Sequence, residues 1–258
     1  MGAVEVAFDE RLRRERFYLR EDFKKCPALA AVLVWPGAYA QATHQATEIA
    51  NADFEVSGVN MTTALSTFNT GGGITLTTAG ASGDQALLGT STTTTETVWK
   101  ATQWSTSQQA SFDCMLKTGA SVAGYTLTAG LKLTSTPASA TDADQCYFRM
   151  NDTENSSQWQ FITSRASVVT TTVGGTDRIP AVVASTIYRL RIVINSDRTV
   201  SGYVGVGPTG NLVEVSKSGP LPALTASINL LPFIGVQAGA AAAKAATVFY
   251  VECGRLLA

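Results

Sequence analysis

The spacing of apolar side chains divides the chain into a helical first part and a β-rich remainder. Between residues 6 and 34, apolar side chains recur at steps of three, four or seven, and charged side chains fill most of the positions between them. This is the period of a helix with one apolar face. We therefore predict an N-terminal α-helical arm over residues 1–40, with a break at Pro27 and an end near Pro36. The apolar face of this arm, which we expect to bind a partner, consists of Phe8, Leu12, Leu19 and Phe23.

From about Phe54 onward, the helical period gives way to short segments in which apolar and polar residues alternate. These segments are rich in β-branched residues, and Gly, Asn, Asp or Pro separates them, which is typical of strands and turns. The clearest case is a hairpin of Tyr188–Ile194 and Thr199–Val204 with a turn between them. About a dozen such segments predict an all-β, two-sheet antiparallel sandwich. The predicted strands span residues 74–78, 98–104, 110–116, 125–133, 145–150, 159–163, 167–173, 187–194, 199–206, 212–215, 231–236 and 247–256.

Charge is distributed unevenly, and its distribution supports a division of the chain into three parts. The first 25 residues carry 13 of the 39 charged side chains, whereas in the rest about one residue in nine is charged. We predict a helical arm at 1–40, a linker with the first strands at 41–70 and a jelly-roll body at 71–258. The arm is too short to be a domain, so its apolar face must pack on its own sandwich or on other chains.

Several function classes are excluded by what the sequence lacks. His44 is the single histidine, so a metal site with several histidines is impossible, and a Ser-His-Asp triad would have to use this residue. A net charge of −1 leaves no basic excess for nucleic acid. The chain has no run of about 18 apolar residues that could span a membrane, and we expect no signal peptide at its start.

The cysteines indicate a structural role. Cys114, Cys146 and Cys253 share the phase of apolar strand positions, and their spacing does not match a metal-binding motif. Free cysteine behaves as a small buried apolar residue, so we expect three core thiols and assembly in a reducing cytoplasm.

Segments of the body resemble known protein families. The hairpin YRLRIVINSDRTVSGYV and the strand count resemble concanavalin A-like jelly rolls of the laminin-G, lectin and glucanase kind. The segments GGGITLTTAGASGDQALLGT, TVWKATQW, TAGLKLTSTPASATDADQCYF and LLPFIGVQ are similar to virion structural proteins of tailed phages. This resemblance covers about residues 70–256 and implies a capsid decoration, cement or fibre module. It also implies contacts with the major capsid protein or other virion proteins, and a homo-oligomer with a trimer as the expected form.

Asp142 and Asp144 are the best acidic pair of the body. On an extended chain, alternate residues project to the same side, about 6–7 Å apart. That spacing suits either a Ca²⁺ site completed by Gln145 or the two carboxyl groups of a glycosidase. The glucanase pattern has Glu at both catalytic positions, however, and this sequence has neither. A solvated turn is the structural alternative, and Asp152 and Glu154 form a weaker pair of the same kind.

Trp99, Trp104, Trp159 and the tyrosines could form a platform for stacking a sugar ring, or they could pack in the core as aromatic side chains usually do. Taken together, these observations predict a non-enzymatic virion structural protein with no catalytic residue and no required cofactor, which decorates or cements a phage capsid. The first alternative is a carbohydrate-binding, lectin-like module for host recognition or a fibre. The second alternative is a polysaccharide hydrolase.

Overall fold

A computed structural model describes residues 16–23, 54–60, 66–69, 71–90, 102–133, 142–154, 157–173, 181–215 and 223–257. These residues form sixteen β-strands and one 3-10 turn at Thr106–Gln108. The strands lie in two antiparallel sheets of eight, which confirms the predicted all-β sandwich. Within this part of the chain, no helix is long and apolar enough to cross a membrane.

Eight strands from both ends of the chain form one sheet, called sheet I here. They are β1 (Arg16–Asp22), β3 (Ser66–Phe68), β4 (Ile74–Thr77), β7 (Ser111–Thr118), β12 (Ile187–Ile194), β13 (Val200–Val206), β14 (Val213–Glu214) and β16 (Ala245–Leu256). Their order is β14-β13-β12-β7-β16-β4-β3. Strand β1 pairs with the second half of β16, on the same edge that β4 occupies along the first half.

The remaining eight strands form sheet II. They are β2 (Phe54–Ser57), β5 (Gln85–Thr90), β6 (Trp104–Ser105), β8 (Tyr125–Lys132), β9 (Gln145–Asn151), β10 (Gln160–Arg165), β11 (Val168–Val173) and β15 (Asn229–Ala238). Their order is β11-β10-β9-β8-β15-β5-β2, and the short β6 pairs with the start of β15.

The core lies between the two sheets and is built from the inward-facing positions of both. In β12, every second residue from Tyr188 to Ile194 is buried, while Arg189 and Arg191 lie on the opposite face, as the hairpin pattern predicts. Alternating side chains on a strand point to opposite faces, so this pattern gives each sheet one apolar face. The three predicted core thiols are confirmed as free and buried: Cys114, Cys146 and Cys253.

Strand β5 lies outside the strands predicted from alternation. Its central residues Leu87 and Leu88 are both buried, although they point to opposite faces of sheet II. A strand that is covered on both faces shows no alternation of apolar and polar residues. The local sequence therefore carries no period-two signal at this position.

The predicted N-terminal helix is wrong where the structure describes it. Residues Arg16–Asp22 form strand β1, which pairs antiparallel with β16 from Arg16↔Leu256 to Asp22↔Tyr250. Leu19 packs against the core, and Phe23 is 5% exposed, with its ring 5.8 Å from that of Phe54. The prediction from the helical period failed here because the apolar residues Phe17, Leu19 and Phe23 fit a strand and its turn as well as they fit a helix. Phe8 and Leu12 lie outside the described residues.

We expect Phe23→Ala to lower the free energy of unfolding by about 3 kcal/mol, because it removes a buried ring from the core. Tyr18→Ala, on the strand β1 that precedes Phe23, is the matched control. Tyr18 is 40% exposed, so its loss should cost less than about 1 kcal/mol. Urea denaturation of the isolated protein measures both values. Equal midpoints for wild type and Phe23→Ala would show that the Phe23 ring contributes nothing to stability.

Stability should fall as the pH rises from about 9 to 12. Burial raises the pKa of the three core thiols and of Tyr125 and Tyr250, and it raises the pKa of Tyr147 to about 12. In the unfolded chain these groups ionise near 9 for thiols and 10 for tyrosines, so the folded state binds more protons in this range. Each such group removes about 1.4 kcal/mol of stability per pH unit. Burial lowers the pKa of Lys132, which opposes the trend with a single group.

Urea denaturation at pH 7.5 and 10.5 measures this loss, and we expect at least about 3 kcal/mol. In the Cys146→Ala variant, one titrating group is missing. The free energy of unfolding should therefore fall less steeply between pH 9 and 10.5, by about 1.4 kcal/mol per pH unit. Constant stability between pH 8 and 10.5 would contradict the prediction.

Candidate functional site

The outer face of sheet II carries a row of polar side chains that crosses four neighbouring strands. Gln85 on β5 pairs with Gln237 on β15, Gln237 pairs with Thr126 on β8, and Thr126 pairs with Asn151 on β9. Residues directly paired in a sheet project to the same face, about 4.8 Å apart. We call Gln85, Gln237, Thr126 and Asn151 the polar row.

A hydrogen-bond network holds the side chains at the β9 end of the row. Arg149 donates from Nε and Nη2 to Oε1 of Gln160, at 3.1 and 2.9 Å, and it also forms an ion pair with Glu154. Asn151 donates to the other oxygen of Glu154 at 3.0 Å and accepts from the backbone and hydroxyl of Thr153. These side chains are therefore fixed before any ligand arrives.

A cleft of about 540 Å³ is lined by Arg149, Asn151, Thr153 and Glu154 of the network and by Thr126 and Gln237 of the row. Asp152 at its rim accepts the backbone N–H groups of Gly124 and Tyr125, which anchors the loop that closes this end. Thr126 and Gln237 line the cleft, and within the described part of the chain their side chains make no hydrogen bond. The cleft thus combines fixed polar walls with two uncommitted polar side chains.

A smaller depression of about 10 Å³ adjoins the cleft and shares Thr126 and Gln237 with it. Gly235 forms part of its lining, and a Cβ atom there would lie 2.8 Å from Oγ1 of Thr128, so only glycine leaves this space open. Oε1 of Gln85, on the same face, is buried and has no hydrogen-bond partner. An unpaired buried acceptor is costly, so this position suits a hydroxyl group or a water molecule.

The other end of the same face is apolar and covered. Leu87, Tyr147, Ile162 and Phe233 form a buried cluster separate from the main core. The rings of Tyr147 and Phe233 meet edge to face at 5.8 Å, and burial raises the pKa of Tyr147 to about 12. The polar cleft therefore borders an apolar patch on the same sheet face.

The structure places the predicted pair Asp142 and Asp144 on different faces of sheet II. Asp142 lies 3.9 Å from Nζ of the buried Lys132, on the outer face. Asp144 accepts the backbone N–H of Thr225 at 2.8 Å and lies close enough to the inward-facing Cys146 to raise the pKa of that thiol further, beyond the effect of burial. The two carboxylates diverge because residues 143–144 form a bend rather than a strand.

This divergence separates the ligands expected for Ca²⁺. Gln145 pairs with Lys132 across the strands, so it shares the face of Asp142 and not that of Asp144. In the described residues, no group of three or more His, Cys, Asp and Glu side chains could hold a metal ion. The ammonium group of Lys132 supplies a positive charge next to Asp142. The Ca²⁺ site stays a prediction.

Trp104 and Trp159 do not form the sugar platform considered above. Trp104 and Trp159 are fully buried in the core, where Trp159 meets Phe148 and Tyr188 edge to face. Trp99 and His44 lie outside the described residues.

Sequence reasoning missed the polar row because its members belong to four strands and meet only through the sheet register. Of its four members only Thr126 lies on a predicted strand, because Gln85, Asn151 and Gln237 fall outside the predicted bounds.

Removing the negative charge of Asp142 should destabilise the protein, because burial already lowers the pKa of Lys132 and the nearby carboxylate opposes that shift. We expect Asp142→Asn to cost about 3 kcal/mol in urea denaturation, since one charge of a buried pair is left behind. Adding Lys132→Met to the same chain should recover at least half of that loss. A wild-type melting temperature that rises with Ca²⁺, and no longer does so in Asp142→Asn, would instead reveal a metal site.

No protein-family model matches the sequence, and no curated protein matches it. Solved structures do resemble the fold. A protein of unknown function from Shewanella oneidensis MR-1 superposes with a TM-score of 0.56 at 11% identity, over 96% of this chain and 94% of that one. Peanut lectin superposes with a TM-score of 0.52 at 12% identity, over 95% and 99%. A beta-1,3-glucanase from Mycobacterium marinum gives 0.52 at 9% identity, over 91% and 97%. At these identities the likeness concerns the fold alone, and the fold is a concanavalin A-like sandwich.

Proposed function

We propose that the protein is a non-enzymatic, lectin-like module that binds a neutral glycan in the cleft along the polar row. The observation that carries this proposal is the pair of uncommitted side chains, Thr126 and Gln237, beside a network that is already fixed. A preorganised wall lowers the entropy that binding must overcome.

The chemistry of the cleft matches that of a sugar ring. Sugar hydroxyl groups both donate and accept hydrogen bonds, and the amide of Gln237 and the hydroxyl of Thr126 can do the same. A volume of about 540 Å³ lies within the usual range of small-molecule sites. Arg149 is paired with Glu154, and Asp152 adds a second carboxylate, so the wall offers no unpaired positive charge and favours a neutral ligand over an acidic one.

The carboxylates of the cleft favour binding over hydrolysis. Both oxygens of Asp152 accept backbone N–H groups, and both oxygens of Glu154 accept hydrogen bonds from Arg149 and Asn151. A glycosidase needs one carboxyl group that donates a proton and another that attacks or activates water. The carboxylate oxygens of Asp152 and Glu154 that would donate the proton, attack or activate water already accept hydrogen bonds.

The fold likeness supports a carbohydrate ligand at a coarser level and does not separate binding from hydrolysis, because a lectin and a glucanase both share this sandwich. The virion placement implied by sequence resemblance stays a prediction, as do the capsid partners. A place in the virion is compatible with a glycan-binding module that is carried on a particle.

A glycan array followed by isothermal titration calorimetry on the strongest hit tests the proposal. We expect Gln237→Ala to weaken binding about tenfold, the loss of roughly one hydrogen bond. The control is Gln103→Ala, which changes an exposed glutamine outside the cleft and should bind like wild type.

The bound glycan should also remain intact on prolonged incubation, as measured by reducing ends. No hit on the array, or equal affinities for wild type and Gln237→Ala, would overturn the proposed site. Release of reducing ends that Glu154→Gln abolishes would favour the hydrolase instead.

A further inference from the structure

Beside the polar row, a second row of positions crosses the same outer face of sheet II. Leu87 on β5 pairs with Gly235 on β15, Gly235 pairs with Thr128 on β8, and Thr128 pairs with Arg149 on β9. Each lies two residues along its strand from a member of the polar row, so both rows project from one face. Gly235 alone among the four has no side chain. The gap it leaves is the depression of about 10 Å³ described above.

The depression has room for one water-sized group. A volume of about 10 Å³ is close to the smallest space that holds a single water molecule. A Cβ atom on Gly235 would lie 2.8 Å from Oγ1 of Thr128 and 3.1 Å from Cδ1 of Leu87, so any larger residue would close this space. A single oxygen atom of a ligand therefore fits, whereas a methoxy or an acetamido group is too large.

The polar atoms around the depression accept hydrogen bonds. Gln85 lines it, and Oε1 of this residue is buried with no partner among the described residues. The hydroxyl group of Thr128 donates its proton to the backbone carbonyl of Gly235 at 3.3 Å, so only the lone pairs of Oγ1 face the space beside Gly235. A buried acceptor without a donor is costly. The depression therefore favours a ligand group that carries a proton.

The donor that suits the depression is uncharged. None of the described residues that line it carries a charge, and the apolar Leu87 forms part of its wall. An ammonium group would also donate, but burying its charge without a carboxylate beside it costs far more than burying a hydroxyl group. A hydroxyl group satisfies the conditions of size, proton and charge together.

The depression is continuous with the cleft. Thr126 and Gln237 line both of them, and the depression extends to the β5 side while the cleft extends to the β9 side. From Gln85 on β5 to Thr126 on β8 is two strand spacings, roughly 9–10 Å. A sugar ring that forms hydrogen bonds with Thr126 and Gln237 can therefore reach the depression with one of its own hydroxyl groups.

We propose that the depression at Gly235 is a hydroxyl-binding subsite, which selects glycans that carry a free hydroxyl group at the position that enters it. This hydroxyl group donates to Oε1 of Gln85. The inference rests on the proposed function and adds the class of glycan that the site accepts. Sugars that are deoxygenated, methylated or acylated at this one position bind weakly.

Isothermal titration calorimetry with analogues of the strongest array hit tests the subsite. Monodeoxy analogues remove one hydroxyl group at a time, and mono-O-methyl analogues block one at a time. At the position that enters the depression, we expect the deoxy analogue to bind about tenfold more weakly than the parent glycan, the loss of roughly one hydrogen bond. The O-methyl analogue should bind more weakly still, because the methyl group has no room.

The variant Gln85→Met identifies that position, because methionine keeps the length of the side chain and offers only a weak acceptor. It should bind the parent glycan about tenfold more weakly than wild type does, and the deoxy analogue at least as tightly as wild type does. At every other position, removing the hydroxyl group should have the same effect in both proteins. Gln103→Met, which changes an exposed glutamine outside the cleft, is the matched control.

A second variant fills the space itself. Gly235→Ala should weaken binding of the parent glycan at least about tenfold, with circular dichroism to confirm that the variant is folded. If it is not folded, Gln85→Met decides alone, since the side chain of Gln85 is partly exposed and makes no hydrogen bond within the described part of the chain. A crystal structure of the complex should place a sugar oxygen within hydrogen-bond distance of Oε1 of Gln85.

Failure of the subsite can be told apart from failure of the proposed function. If a glycan binds and Gln237→Ala weakens it, but Gln85→Met shows no coupling with any analogue, the cleft is the site and the subsite is wrong. A water molecule in the depression of the glycan complex, in place of a sugar oxygen, would also overturn the subsite alone. If no glycan binds, the proposed function fails and the subsite fails with it.

Discussion

A one-residue bulge in β16 sets the geometry of sheet I. The pairing of β16 with β7 shifts between Val248 and Tyr250, so Phe249 is an extra residue in the ladder. Before the bulge, even-numbered positions such as Val248 point into the core, and after it odd-numbered positions such as Val251 and Cys253 do so. One inserted residue reverses which side chains face inward.

The reversal places Tyr250 on the outer face, where its hydroxyl donates to Asp113 at 2.6 Å. Arg189 binds both oxygens of the same carboxylate, and Arg191 binds one of them. A buried carboxylate is stable only when its oxygens are satisfied, and here four hydrogen bonds do so. Without the bulge, Tyr250 would point into the core and Asp113 would lose one of these partners.

The same shift determines how the N-terminal strand is held. Because the end of β16 turns Cys253 inward and Glu252 outward, Leu19 of β1 reaches the core and Arg20 lies beside Glu252. Arg20 also lies 4.0 Å above the ring of Tyr250, a cation–π contact. The pairing of β1 with β16 therefore decides the conformation of residues that a local pattern assigns to a helix.

The local pattern of apolar and polar residues predicts the fold well where one face of a strand is buried and the other is exposed to solvent. Ile187–Ile194 shows this, since the predicted and observed strands coincide. The pattern fails in β5, where Leu87 lies under cover on the outer face, and in β1, where pairing with a strand more than 200 residues away decides the structure. It fails most at the site, because Gln85 and Gln237 become neighbours only through the register of β5 and β15. Register is a property of the assembled sheet, which no single segment encodes.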